Sequence, residues 1–149
     1  MGVCGGLTRF VQAQAGIYPR ALEELRAGAK RSHWMWFIFP QIIGLGRSST
    51  AQFYAIADLA EARCYLAHPL LGPRLEEATR AMLAWSAERS PEAILGHVDA
   101  LKFHSSMTLF DAAAEGEGPY REALDSFYYS QRDGATTAII GREQAAPSA

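Results

Sequence analysis

What this chain has little of narrows its chemistry before any motif is considered. Its two cysteines, Cys4 near the start and Cys64 in a helical stretch, have neither the spacing of a zinc site nor that of a disulfide framework, so reduced thiols are expected. The four histidines, His33, His68, His97 and His104, stand far apart, with no His-x3-His pair and no carboxylate placed to complete a ligand set. No metal is expected. Fourteen Lys and Arg against sixteen Asp and Glu, with a net charge of −2, leave no global positive field and exclude general binding to duplex DNA. The longest apolar run, Trp34 to Phe39, is too short to cross a bilayer. The opening MGVCGGLTRF lacks the basic start and apolar length of a secretory signal. A soluble, cytoplasmic protein without a membrane segment is the expectation.

What is present is an ordinary single domain. At 149 residues and 49% hydrophobic the chain can bury a sizeable core. Apolar spacing is helical nearly throughout: Leu7, Phe10 and Val11, then Ala21, Leu22 and Leu25 with Gly28 as terminator. Asp58 to Glu61 has capping-box spacing and predicts a helix through Ala67, after which His68-Pro69 breaks the chain. Pro73 suits the first turn of a long helix to about Glu88, with Leu75, Ala78, Met82 and Trp85 as its buried stripe. Ser90-Pro91-Glu92 starts a short helix that stops at Gly96. Val98 to Ala113, with Phe103, Met107 and Phe110 on one face, reads as the central helix. Tyr120 to Tyr129 and a helix capped by Asp133 complete the series. The expected fold is all-α, a compact single-domain bundle of about seven to nine short and medium helices, residues 1–6 and 142–149 forming frayed tails.

Chemistry concentrates between Lys30 and Thr50, KRSHWMWFIFPQIIGLGRSST. Tryptophans and phenylalanines beside Lys30, His33 and Arg47 have the composition of an apolar pocket with a few oriented donors. On a helix begun by Ser32, Trp34 or Trp36 would stack on a ligand, with Gln41 beyond them. Gly46 lets the backbone approach closely, and Ser48, Ser49 or Thr50 caps a following helix whose free amides, with Arg47, suit phosphate or carboxylate. The same glycines resemble a degraded dinucleotide fingerprint, but Pro40 intervenes and no second parallel strand follows. The second constellation is Lys102-Phe-His104-Ser105-Ser106-Met-Thr108. Lys102 and Ser106 lie one turn apart, so an ammonium and hydroxyls can share a stripe. No oxyanion-hole element accompanies them, and a polar contact suits them better than nucleophilic catalysis. Glu23 and Glu24, and Glu76 and Glu77, read as solvated helix faces.

Three motifs in order, RSHWMWFIFPQIIGLGRS, YAIADLAEARCYLAHPLLGPRL and KFHSSMTLF, resemble the uncharacterised bacterial family termed domain of unknown function 1810, sometimes labelled calpastatin-like. The resemblance spans roughly Leu7 to Ile140 and implies a compact, mainly helical single domain, with no established reaction, cofactor or substrate. Nothing in the chain resembles a protease-inhibitor repeat, and the N-terminal GVCGGL departs from the polar acidic start of relatives.

Two classes of function follow. In the first, a small anionic, phosphate- or nucleotide-like ligand lies between the aromatic segment and the serine-rich helix. Its contacts would be Lys30, His33, Trp34, Trp36, Gln41, Gly46, Arg47, Ser48, Lys102, Ser105, Ser106 and Thr108. In the second, the aromatics, Trp36 and Phe39 above all, form a protein-interaction patch on a monomer or weak homodimer. Single-stranded RNA is a further alternative, as stacking and basic groups coexist without a wide basic surface.

Overall fold

Ten α-helices follow a 3-10 turn in the computed structural model, which describes residues 2–145. After the turn Gly2–Leu7 come α1 (Thr8–Gln14), α2 (Tyr18–Ala27), α3 (Met35–Ile38), α4 (Ser49–Phe53) and α5 (Leu59–Ala67). Then follow α6 (Leu71–Leu83), α7 (Pro91–Leu95), α8 (His97–Ala114), α9 (Tyr120–Tyr128) and α10 (Gly134–Ala145). The fold is all-α and a single domain, with one helix more than the expected upper count. No strand forms among the described residues; one isolated bridge joins Ile42 to Ile56.

Helix α8 is the axle. From Phe103 to Asp111 every residue but His104 is buried, so this stretch is enclosed on all sides rather than on one stripe. Helices α5, α7, α9 and α10 pack around it. Phe103 meets Phe39 edge-on with ring centroids 4.9 Å apart, and Phe110 meets Tyr65 at 5.3 Å. These contacts bring the aromatic segment and α5 onto one core.

Local signals set most boundaries. Gly28 ends α2 at φ 74°, a conformation that favours glycine. Ser48, Asp58, Ser90 and Asp133 each accept a hydrogen bond from the backbone three residues on, at 3.1, 2.8, 3.1 and 3.0 Å. The box at Asp58 is modified: Glu61 reaches back to the amide of Ala57 at 2.9 Å and also holds Arg9 at 3.1 Å. Helix α6 stops at Leu83 instead of Glu88, because the chain tightens into three-residue turns from Met82 to Glu88.

Four expectations need correction. The helix expected from Ser32 shrinks to Met35–Ile38, because Ser32 gives its hydroxyl and amide to Glu24 instead of capping a helix. Glu24 is therefore a buried anchor and not a solvated face. Residues from Gly2 onward are a 3-10 turn rather than a frayed start, while α10 runs to Ala145 and 146–149 lie outside the described residues. Finally, Cys4 and Cys64 are not free thiols. They form a disulfide across 60 residues, with Cα atoms 5.4 Å apart, which ties the 3-10 turn to α5. Sequence spacing could not show this, since only packing of the turn against α5 brings the two together.

Among the described residues no helix is long and apolar enough to cross a membrane. No group of three or more His, Cys, Asp and Glu is placed there to hold a metal ion.

Candidate functional site

The two segments singled out by sequence do meet. Asp99 receives the Lys30 ammonium at 2.9 Å and the Lys102 ammonium at 3.3 Å, and Lys102 lies 3.8 Å from the centre of the Trp36 ring. Thus Lys30, Trp36 and Lys102 share one corner with Gln41 and Gly46, but both lysines are already paired with Asp99 there. The space enclosed by Met35, Trp36, Phe39, Gln41, Gly46 and Lys102 is about 10 Å³, room for roughly one water.

Several of the other expected contacts have structural work. Trp34 is fully buried and donates its indole N–H to Glu24 at 2.9 Å, so it cannot stack on a ligand. Phe39 is likewise sealed, which removes it from any surface patch. Ser105 bonds Leu101 at 3.2 Å and Asp133 at 3.3 Å. Thr108 donates to His104 at 2.8 Å and accepts the Asp133 amide at 2.9 Å. Both residues dock α10 on α8. Ser106 is buried with no hydrogen-bond partner among the described residues, and the Lys102 ammonium goes to Asp99, so the geometry of a Ser-Lys pair is absent. His33, Arg47 and Ser48 are exposed; Ser48 caps α4 and the Arg47 carbonyl accepts from Gln52 at 2.9 Å.

A ligand-sized hollow lies elsewhere, along the outer side of α6. It has a volume of about 980 Å³, at the upper end of small-ligand sites. Its walls come from the end of α2, α5, the end of α8 and the start of α9. Two glycines permit that closeness. A Cβ on Gly72 would lie 2.1 Å from the carbonyl oxygen of Leu66, and one on Gly28 would lie 2.9 Å from the Trp85 ring. Trp85 is held in place by donating its indole N–H to Leu25 at 3.0 Å.

The groove has an apolar floor and a charged rim. Leu66, Pro73, Ala81, Ala84, Trp85 and Tyr120 supply the floor. Tyr120 is only 3% exposed, and its hydroxyl makes no hydrogen bond among the described residues. Tyr120 lines the groove, and its hydroxyl is not sealed from solvent. Burial first, then the charge of Glu76, raises its pKa, with Arg80 opposing. On the rim Glu76 pairs with Arg80 at 3.1 Å and Glu77 with Arg26 at 3.5 Å. Glu88 and Glu117 have no ion-pair partner among the described residues. A smaller depression of about 560 Å³ beside α2 is balanced, with Arg20 and Arg31 against Glu23 and Glu24.

Sequence reasoning missed the groove because it read Glu76 and Glu77 as a solvated face and Trp85 as core. The available signal was Ala81 and Ala84 beside Trp85 on a helix flanked by charges, since small residues leave room outside a helix.

Comparison with known proteins agrees with this architecture. The sequence profile of the family described as "Protein of unknown function (DUF1810)" matches residues 5–140. No curated protein matches the chain. The crystal structure of the conserved hypothetical protein Rv1873 from Mycobacterium tuberculosis is similar at 48% identity and a TM-score of 0.87, covering 91% of this chain and 96% of that one. On the strength of a match over nearly its whole length, the chain belongs to the DUF1810 family.

Proposed function

We propose that this protein is a binding domain whose ligand lies in the groove along α6. One observation carries the reading: a hollow of about 980 Å³ with an apolar floor is lined by the nearly buried Tyr120, whose hydroxyl has no hydrogen-bond partner among the described residues. An unpaired polar group on an apolar floor orients a ligand, and burying it beneath an apolar body without a partner would cost about 1–3 kcal/mol. The expected site at Trp36, Arg47 and Lys102 supports a ligand less well, because its enclosed space holds roughly one water and its lysines already share Asp99.

A fragment screen by ligand-observed NMR tests the reading. Fragments that bind the wild type should lose their signal in Ala84→Trp, which fills the groove from an exposed position. Fragments that bind both proteins equally would remove the groove from the account.

The interaction reading keeps one supporting observation, on a different surface. Val98 and Leu101, three residues apart on α8, are 63% and 56% exposed. Together they offer an apolar pair to a partner or a second copy. Sedimentation of wild type and Leu101→Glu over a range of concentrations decides it: self-association lost in the variant supports this reading, and a monomer throughout contradicts the second-copy form.

A further inference from the structure

We propose that the α6 groove selects a cationic small molecule, a protonated amine carried on an apolar body. The proposal rests on the reading of the groove as a ligand site, and it reverses the sign of charge that the sequence suggested. Six charged residues line the groove, four glutamates and two arginines. The arginines are spent on Glu76 and Glu77 at 3.1 and 3.5 Å, so the negative charge of Glu88 and Glu117 stays uncompensated at the rim. An anion entering here would meet both unpaired carboxylates, whereas a cation would neutralise them.

The floor suits the same ligand. Trp85 and Tyr120 bring two aromatic rings to one hollow, and the negative face of an aromatic ring attracts ammonium groups. The hydroxyl of the nearly buried Tyr120, without a hydrogen-bond partner among the described residues, has an oxygen lone pair for an ammonium N–H. Leu66, Pro73, Ala81 and Ala84 cover the apolar body. Carboxylates on the rim, and rings, a hydroxyl and aliphatic carbon on the floor, line one groove.

Three probes with one apolar body and different charges test the proposal: 1-naphthylmethylamine, 1-naphthalenemethanol and 1-naphthoate. They are titrated into the full chain at low salt while amide and indole signals are followed. The amine should bind roughly tenfold tighter than the alcohol, with shifts centred on Ala81, Trp85 and Tyr120, and the naphthoate more weakly than either. The double variant Glu88→Gln/Glu117→Gln changes only exposed residues without ion-pair partners, and it should bring the amine down to the affinity of the alcohol. If amine and alcohol bind the groove equally, or the naphthoate binds best, the cationic class is overturned and the groove survives as a ligand site. If none of the probes shifts a groove residue, the reading of the groove falls and the proposal falls with it.

Discussion

Glu24 shows how one residue organises the aromatic segment. Burial disfavours its charge, but hydrogen bonds from the Ser32 hydroxyl, the Arg31 amide, the Trp34 indole and the Ser32 amide outweigh it, and the carboxyl is brought down from 4.5 to about 2. A carboxyl depressed on folding stabilises the protein above its unfolded pKa, and that contribution is lost as pH falls through the folded value. Stability should therefore decline between about pH 4.5 and 2. In Glu24→Gln this part of the pH dependence should flatten, with a loss on the order of 2 kcal/mol at neutral pH. Urea unfolding across that range measures both. Ser106 is the opposite case. Its hydroxyl is buried without a partner, so Ser106→Ala should leave stability unchanged or raise it by up to about 1 kcal/mol. A loss above about 2 kcal/mol in chemical unfolding would show a partner that the geometry lacks. Neither role was legible in sequence. Glu24 sits beside Glu23 on a helix and looks like its neighbour, and only the path of residues 30–34 distinguishes them.

At the scale of elements, the legible features were those set by one or two neighbouring residues. Asp58, Ser90-Pro91, Gly28 and Asp133 mark helix ends through bonds to residues three or four away, and such bonds can be read from spacing. Where a distant group competes, reading failed. Ser32 had the composition of a cap, yet Glu24 on α2 takes it. The disulfide is the plainest example, as it joins residues 60 apart that share no local pattern. It closes a long loop and limits the unfolded ensemble. Replacing Cys4 and Cys64 together with Ser should lower stability by about 2–4 kcal/mol while leaving far-UV circular dichroism unchanged. A thiol assay on the unreduced denatured chain should find no free thiol; two titratable thiols would contradict the bond.

For the whole molecule, the expected site required two sequence-distant segments to converge; they meet, but without opening a cleft. The expected ligand site set Trp36 and Lys102 on either side of one ligand, and the two are in direct contact. Whether that neighbourhood opens as a cleft depends on Asp99, which draws both lysines inward, and on how closely α3 lies against its surroundings. The groove depended on facts still further from sequence. It arises where α6 leaves its outer side uncovered between the ends of α2 and α8, with Gly72 and Gly28 allowing the close contacts that shape its walls. Residues that looked like an ordinary solvated face thereby became a rim. The pattern of charge changed meaning once Arg80 and Arg26 were paired and Glu88 and Glu117 were left over.

The chain's three tryptophans provide one direct test, because each occupies a different setting: Trp34 in the core, Trp36 under Lys102, and Trp85 in the groove. Their indole N–H signals appear together in a single ¹H–¹⁵N spectrum recorded during titration with 1-naphthylmethylamine. The account predicts a saturable shift of Trp85 while Trp34 and Trp36 stay in place. A shift of Trp36 with Trp85 unmoved would contradict it and return the ligand site to the aromatic segment.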